Sequence, residues 1–264
     1  MSRLGIQAFV PQSTGSSAVL SRRDPRVRIV LLLLHAFAFA AVSQVALLPV
    51  LVLIAAGVYG LSGLAWGALL RRLRVAVLLI GLLVILLPFV SGSSVLMQVG
   101  PVALYREGVE AAALIGVRFL AIFTVANALL GCGALFDHLR ALRALGVPVL
   151  MTDLAMLVVR YIEVAHHDLH QMHLAMQVRG GKGHRGGAVL SLLSRVREHA
   201  WLIAALLLRS HERSERVYSA MQARGYGARG LSVRMPPLNV ADLVFLMSGG
   251  ALAALVFILE WHTT

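Results

Sequence analysis

The most constraining feature of this sequence is an uncharged stretch from Ile29 to Leu70, which contains no Asp, Glu, Lys or Arg. A membrane-spanning helix needs about 20 consecutive apolar residues, so this stretch is long enough for two. The polar residues and the proline within 43–49 mark the place where a helical hairpin would reverse. Immediately upstream, Asp24 and Pro25 have the pattern of a helix start, with Asp as the N-cap and Pro at the first helical position. The stretch therefore predicts a membrane hairpin.

Three further apolar segments have the length of a single span, at about 75–90, 109–130 and 240–259. Hydrophobic residues make up 59% of the chain and charged residues 14%, against about 25% in soluble proteins. The mean hydropathy is +0.82. We therefore expect an all-α membrane protein with about five transmembrane helices and a cytoplasmic segment of long amphipathic helices.

Basic residues are distributed unevenly along the chain, and their positions predict its orientation. The net charge is +12, from 24 Arg and Lys against 12 Asp and Glu. Five basic residues precede the first span, three lie at 71–74 and fourteen lie between 132 and 236, whereas the loop before the fourth span carries only Arg106. By the positive-inside rule, the N-terminus and residues 132–236 face the cytoplasm, with the spans in the cell (inner) membrane. Because the charges flank the spans, nucleic acid is not an expected partner.

These expectations divide the chain into four segments. Residues 1–25 are a cytoplasmic N-terminal segment, 26–131 hold four spans, 132–236 form a cytoplasmic helical domain, and 237–264 hold the last span. Nothing in the first 28 residues has the form of a cleavable signal peptide. The single cysteine, Cys132, excludes an intrachain disulfide.

Two long amphipathic helices are expected in the cytoplasmic domain, at about 150–179 and 190–224. The first has a single apolar stripe at three- and four-residue spacing, formed by Leu154, Val158, Tyr161, Ala165, Leu169, Met172 and Met176. The second has a heptad seam suited to packing against another helix, formed by Leu193, Val196, Ala200, Ile203, Leu207, Ser210, Ser214, Val217 and Met221. Residues 200–208 are apolar on every side but reach only about 14 Å, so we expect them at the membrane interface rather than across the bilayer.

Each of these two helices ends in nearly the same hexapeptide. Ala-Met-Gln-Val-Arg-Gly occupies Ala175 to Gly180 and Ala-Met-Gln-Ala-Arg-Gly occupies Ala220 to Gly225, 45 residues later. A single Arg-Gly ending is ordinary, because the arginine complements the helix dipole and the glycine supplies a left-handed cap. Two near-identical endings suggest a function beyond helix capping. Arg179 and Arg224 offer planar five-donor groups that fit acidic or carbonyl-lined pockets, and two such prongs suggest a partner with two equivalent pockets.

The second of these helices also carries a longer motif that resembles a known family. Residues 209–226, Arg-Ser-His-Glu-Arg-Ser-Glu-Arg-Val-Tyr-Ser-Ala-Met-Gln-Ala-Arg-Gly-Tyr, resemble the signature of the T component of energy-coupling factor (ECF) transporters, closest to the CbiQ type of the cobalt/nickel branch. The resemblance extends over roughly 22–260 and includes Asp24-Pro-Arg26, Leu87-Pro-Phe89, Arg118 and Arg160-Tyr161. The histidine-rich stretch 166–173 departs from the family pattern.

This resemblance implies a membrane subunit that joins two cytoplasmic ABC ATPase subunits to a substrate-binding membrane (S) component. The two Arg-Gly motifs would dock into grooves on the two ATPases, which would make residues 132–236 a coupling domain. ATP and Mg²⁺ would be held by those partners, and this chain would bind no cofactor. The substrate implied is cobalt or nickel, although a vitamin stays open because the substrate belongs to the S component.

Two further sets of polar residues have open interpretations. Arg118 lies among apolar residues of the fourth span, where it is a functional candidate by default, or else has a structural partner or snorkels to an interface. His166, His170 and His173 lie at positions that share a helix face and are weak metal-ligand candidates, since imidazole suits cobalt and nickel. The alternative for the histidines is an ordinary solvated face.

The sequence offers no catalytic constellation. Carboxylates are few and scattered, and the glycine-rich stretch 180–187 lacks the Ser or Thr that a phosphate-binding loop requires after its lysine. We therefore expect a non-catalytic transport subunit. The runner-up is a stand-alone metal-ion permease lined by Arg118 and the histidines, and an intramembrane enzyme is the least favoured interpretation.

Overall fold

A computed structural model of the chain describes residues 20–90, 95–99, 102–179, 188–226 and 237–263. Contacts divide these residues into two units. The first contains the described residues up to Val147 together with those from 237 onward, and the second contains the described residues from Pro148 to 226. The all-α membrane architecture expected from the sequence is confirmed, with one short β-hairpin added to it.

The first unit begins with a helical hairpin, as the sequence predicts. Helix α1 covers Pro25–Ala41, and the Asp24 side chain accepts a hydrogen bond from the backbone N–H of Arg26 at 2.9 Å, which confirms the predicted cap. After a break at 42–44, a 3₁₀ turn at Val45–Leu47 leads into helix α2, Leu48–Ser62. The reversal therefore lies where the polar residues and the proline predicted it.

The second reversal comes earlier than expected. Helix α3 covers Trp66–Val90, so Arg71, Arg72 and Arg74 lie in its first turns rather than in a loop before it. The turn forms at 63–65 because Gly63 takes the left-handed conformation that caps α2, with φ of 62°. The hydroxyl of Tyr59 then donates to the carbonyl of Ala65 at 3.0 Å. Glycine and a local hydrogen bond end α2 within the uncharged stretch of the sequence.

The rest of the first unit consists of a hairpin and three helices. Strands β1, Val95–Val99, and β2, Val102–Tyr105, pair in antiparallel fashion and lead into helix α4, Arg106–Gly131. Helix α5, Leu135–Ala144, packs against α1, and helix α8, Val240–Thr263, ends the chain beside α1. Helix α4 is central, because it packs against α1, α2 and α3.

Three helices of the described residues are long and apolar enough to cross a membrane: Val45–Ser62, Arg106–Gly131 and Val240–His262. A fourth crossing results if the two halves of α3, Trp66–Leu78 and Ile80–Phe89, which are bent by 46°, count as one span. The remaining one of the five predicted spans is α1, which has only 17 residues. At 1.5 Å per residue it is about 26 Å long, close to the roughly 30 Å of a hydrocarbon core.

Polar contacts show which helix ends lie together in the first unit. At one end, Asp242 of α8 accepts from the backbone of Asp24 at 3.4 Å, Cys132 contacts the carbonyl of Ser62, and Arg72 donates to Asn127 at 2.9 Å. At the other end, the backbone of Ser43 donates to Glu260 at 2.9 Å. Helices α1, α3 and α8 therefore run in one direction and α2 and α4 in the other. This is the alternation that five consecutive crossings require.

The contact between α1 and α8 is close because of one glycine. A Cβ atom added to Gly249 would lie 2.6 Å from Cδ2 of Leu31, a side chain that is 1% exposed. A Cβ atom added to the neighbouring Gly250 would meet only Cδ1 of Leu34, at 4.0 Å. The two helices thus approach each other where α8 has no side chain on the face toward Leu31.

Substituting these two glycines should separate packing from helix propensity. Both Gly249→Ala and Gly250→Ala gain the same preference for helix. Only Gly249→Ala forces the buried Leu31 to move, so we expect it to unfold more easily than Gly250→Ala by about 1–3 kcal/mol. Denaturation of the purified protein in detergent measures the difference. Equal stability of the two variants would show that α1 and α8 do not pack at Gly249.

Candidate functional site

The second unit is a pair of long helices, α6, Val149–Val178, and α7, Ala188–Ala223. Their bounds are within two residues of the predicted ones. Two polar contacts join them. A guanidinium nitrogen of Arg213 donates to the carboxylate of Asp168 at 2.8 Å, and the hydroxyl of Tyr226 donates to the carboxylate of Asp153 at 3.1 Å. Because the second contact lies earlier in α6 and later in the chain beyond Arg213, the two helices are antiparallel.

Burial along α6 confirms most of its predicted apolar stripe. The side chains of Tyr161, Ala165, Leu169, Met172 and Met176 are partly buried. The first two members of the stripe were predicted wrongly, because Leu154 is 52% exposed and Val158 is 63% exposed. The predicted stripe is therefore partly buried from Tyr161 onward, the part of α6 that contains Asp168.

The predicted seam of α7 is wrong over most of its described length. Val196, Ile203 and Leu207 are each more than half exposed, and Ala200, Ser210 and Ser214 are exposed as well. From Val196 onward, the least exposed residues are instead Glu198, Leu202, Leu206, Arg213, Val217 and Met221, which share one helix face, whereas the burial of Leu193 lies outside what the structure describes. The run 200–208 is apolar on every side of the helix, so its sequence does not show which side is buried. The partly buried face also has a charged residue, Arg213, near its centre. Only Val217 and Met221 belong to both sets.

The second Arg-Gly motif ends α7 in a well-defined cap. Gly225 has φ of 80°, the left-handed conformation predicted for it. The backbone N–H of Tyr226 donates to the backbone carbonyl of Met221 at 3.0 Å, and the backbone N–H of Gly225 donates to the backbone carbonyl of Gln222 at 2.9 Å. These two bonds form a Schellman motif, which satisfies carbonyls that the helix end leaves unpaired. Since Tyr226 also binds Asp153, the end of α7 is attached to the beginning of α6.

The first motif ends α6 in a similar position. The backbone N–H of Arg179 donates to the carbonyl of Ala175 at 3.1 Å, while Gly180 lies outside the described residues. The residues Ala175, Arg179, Ala220, Arg224 and Gly225 are all exposed. Neither Arg179 nor Arg224 forms an ion pair with a carboxylate of the described part of the chain. Both guanidinium groups are therefore available to a partner.

The antiparallel pairing sets the distance between the two motifs. Arg179 lies eleven residues beyond Asp168, and Arg224 lies eleven residues beyond Arg213. At about 1.5 Å per residue, each arginine is roughly 16 Å from the Asp168–Arg213 contact, in opposite directions. The two motifs thus lie about 33 Å apart, at opposite ends of one helix pair.

Arg118 occupies a structural position at the end of α1. Its guanidinium donates to the backbone carbonyl of Val42, the residue that ends α1 and is 0% exposed. Glu260 of α8 reaches the same break, because its carboxylate accepts from both the backbone N–H and the hydroxyl of Ser43. The two charged side chains also interact electrostatically. Arg118 and Glu260 together bind the carbonyl of Val42 and the N–H of Ser43 in the α1–α2 reversal. These backbone groups lie between the two helices and so have no partner within either helix.

Glu260 was missed by the sequence analysis. It lies near the end of an apolar helix, where a lone carboxylate looks like an ordinary membrane-boundary residue. Its burial, with 7% of the residue exposed, is the structural sign of a role. The signal available in the sequence was the opposite charge of Arg118 in another apolar segment, since charges within spans usually pair.

The histidine candidates do not assemble into a metal site in the structure. His166, His170 and His173 are exposed on α6. Within the described ranges, no group of three or more His, Cys, Asp or Glu side chains is placed to hold a metal ion.

A bundle of apolar helices that alternate in direction defines an integral membrane protein, and a separate pair of amphipathic helices forms its second unit. The chain belongs to the CbiQ family, described as cobalt transport protein, whose family model matches residues 16–236. It is also similar to the energy-coupling factor transporter transmembrane protein EcfT of Thermosediminibacter oceani. The two chains are 25% identical over 268 residues, which is 96% of each. The chain is therefore a membrane subunit of a transport system, and the resemblance found in its sequence is confirmed.

The role of Arg118 can be tested against an arginine on the same helix. Arg118→Met removes the donor to the buried Val42 carbonyl, and leaving such a group unpaired costs about 1–3 kcal/mol. Arg106→Met removes only an exposed i,i+4 pair with Glu110, worth about 0.5 kcal/mol at most. Thermal unfolding of the purified protein in detergent should therefore rank Arg118→Met well below Arg106→Met. The same melting temperature for both would exclude the capping role.

Proposed function

We propose that this chain is the coupling subunit of an ATP-driven importer of the energy-coupling factor type. It transmits motion from two cytoplasmic ABC ATPase subunits to a substrate-binding membrane subunit. The observation that carries this proposal is the exposure of the two motif arginines, Arg179 and Arg224, which lie about 33 Å apart at opposite ends of the antiparallel α6/α7 pair.

Two equivalent prongs suit a partner that has two equivalent pockets, as a dimer does. Guanidinium groups form strong, directional hydrogen bonds with carboxylates and carbonyl oxygens. The Schellman cap and the Tyr226–Asp153 bond hold the second prong in a defined direction. A rigid arm with two such contacts would move as one body when the two ATPases approach each other.

The proposed orientation rests on the side of the bundle at which the basic residues collect. Arg23 just before α1, Arg26 in its first turn, the arginines at 71–74 and those of α5 all belong to the helix ends that lie together in the first unit. The positive-inside rule makes this the cytoplasmic side, in a cell (inner) membrane. The N-terminus and the coupling domain would then both face the ATPases.

The proposed substrate is a cobalt or nickel ion. Support comes from the family description as cobalt transport protein, and the ion would be bound by the substrate-binding partner. ATP and Mg²⁺ would be bound by the ATPases, so this chain would be non-catalytic. Its residues would contribute docking and transmission only.

Removing both prongs tests the proposal. In the complete transporter, Arg179→Ala combined with Arg224→Ala should leave the subunit inserted in the membrane. We expect the variant to lose the co-purifying ATPases and to reduce ATP-driven Co²⁺ uptake to background, because the charge-assisted contacts of both prongs are gone. Co-purification and uptake measure the two effects.

The matched control is Arg197→Ala combined with Arg216→Ala, which removes the same charge from exposed positions of α7. This control should keep both the ATPases and the uptake. Normal ATPase binding and uptake by the Arg179/Arg224 variant would refute the coupling role. Loss of uptake on replacing His166, His170 and His173 by alanine, with the ATPases still bound, would instead favour the alternative of a metal-ion permease.

A further inference from the structure

The contact between Asp168 and Arg213 joins corresponding positions of the two motif-bearing helices. The two Arg-Gly hexapeptides are displaced by 45 residues, and Asp168 and Arg213 are also 45 residues apart. Each of these two residues thus stands eleven positions before the arginine of its own motif. In the alignment that superposes the two motifs, Asp168 and Arg213 are the same position.

A contact between corresponding positions of two antiparallel helices has a geometric consequence. It lies on the local two-fold axis that exchanges the helices, as a residue does when it contacts its own copy across a two-fold interface. The Tyr226–Asp153 bond shows that α6 and α7 stay close over about 20 Å on one side of this point. The Asp168–Arg213 pair is therefore the midpoint between the two prongs.

The Asp168–Arg213 ion pair has the short distance and the partial burial expected of a contact that fixes two helices against each other. Its nitrogen and oxygen atoms are 2.8 Å apart, and the side chains of Arg213 and Asp168 are 31% and 17% exposed. The neighbouring pair between Arg216 and Glu212 lies within α7 itself, at 4.0 Å, with side chains 71% and 55% exposed. Only the first pair joins one helix to the other and is partly shielded from water.

We propose that Asp168 and Arg213 are positioning residues that set the register of α6 against α7, and with it the separation and opposite directions of Arg179 and Arg224. Sliding the helices by one turn moves each motif about 5 Å along the pair, so the two prongs would no longer match two fixed pockets. This inference rests on the proposed coupling function for its consequence in transport. The register itself is a property of this chain alone.

A distance between spin labels tests the register directly. Val178→Cys and Ala223→Cys place labels at corresponding exposed positions, ten residues beyond Asp168 and Arg213 and so about 30 Å apart. The native Cys132 is buried, and burial raises the pKa of its thiol, so it does not compete for the label. The complete transporter in nanodiscs should give a single narrow distance.

Charge reversal then separates a register role from a general structural one. Asp168→Arg and Arg213→Asp each place like charges at this contact, and we expect each to broaden the distance distribution and to reduce Co²⁺ uptake by about tenfold or more. Because the two positions correspond by local symmetry, the combined reversal should rebuild the pair. It should restore the narrow distance and bring uptake within about twofold of the native protein.

The matched control reverses the exposed pair within α7, with Glu212→Arg and Arg216→Glu, and should change neither distance nor uptake. If a single reversal prevents folding, Asp168→Asn breaks the ion pair without adding a like charge. A folded Asp168 variant with the native distance and uptake would overturn the inference, and so would a combined reversal that behaves no better than the single ones. Failure of the coupling function would appear instead as retained ATPases in the Arg179/Arg224 variant, and the label distance would still decide the register.

Discussion

The first unit depends on one constraint, which is that backbone polar groups buried in a membrane protein need partners within the protein. A helix satisfies its own groups except at its ends, so each reversal between spans is a local problem. At the α1–α2 reversal the partners are two charged side chains, Arg118 and Glu260, from two other helices. At the α2–α3 reversal they are local, through Gly63 and Tyr59. The short α1 is possible because its end is closed by α4 and α8 rather than by water.

The limits of sequence-based prediction in this chain follow from the range over which each interaction acts. The cap at Asp24, the first reversal and the bounds of α6 and α7 were predictable, because apolar periodicity, proline and N-cap residues act within a few positions. The partner of Arg118 was not predictable, since Val42 and Glu260 are 76 and 142 positions away from it. The buried face of α7 was missed because it has a charged residue, Arg213, at its centre. Hydrophobic periodicity cannot find a face held together by an ion pair.

The same distinction applies to the candidate site. Repetition of the Arg-Gly hexapeptide identified both helix ends, and the left-handed Gly225 agrees with the cap expected from its sequence. Repetition did not reveal how the two ends are arranged. Parallel helices would present both arginines side by side, whereas the antiparallel pair holds them about 33 Å apart. That arrangement depends on the long-range contacts of Asp168 and Asp153.

The position of the ion pair also explains why a charged contact can fix the register of α6 against α7 better than an apolar contact can. Apolar side chains along two helices tolerate sliding by a turn, because one leucine replaces another at similar cost, whereas a single buried or partly buried polar pair fixes the register. Along the partly buried faces of α6 and α7 most residues are apolar, mainly leucine and methionine, and Asp168 and Arg213 form the ion pair that joins the two helices. A helix pair that docks into two fixed pockets, as proposed for α6 and α7, needs a defined length more than it needs maximal stability. An ion pair at the midpoint, with apolar residues on either side, provides that definition at the position where it controls both ends equally.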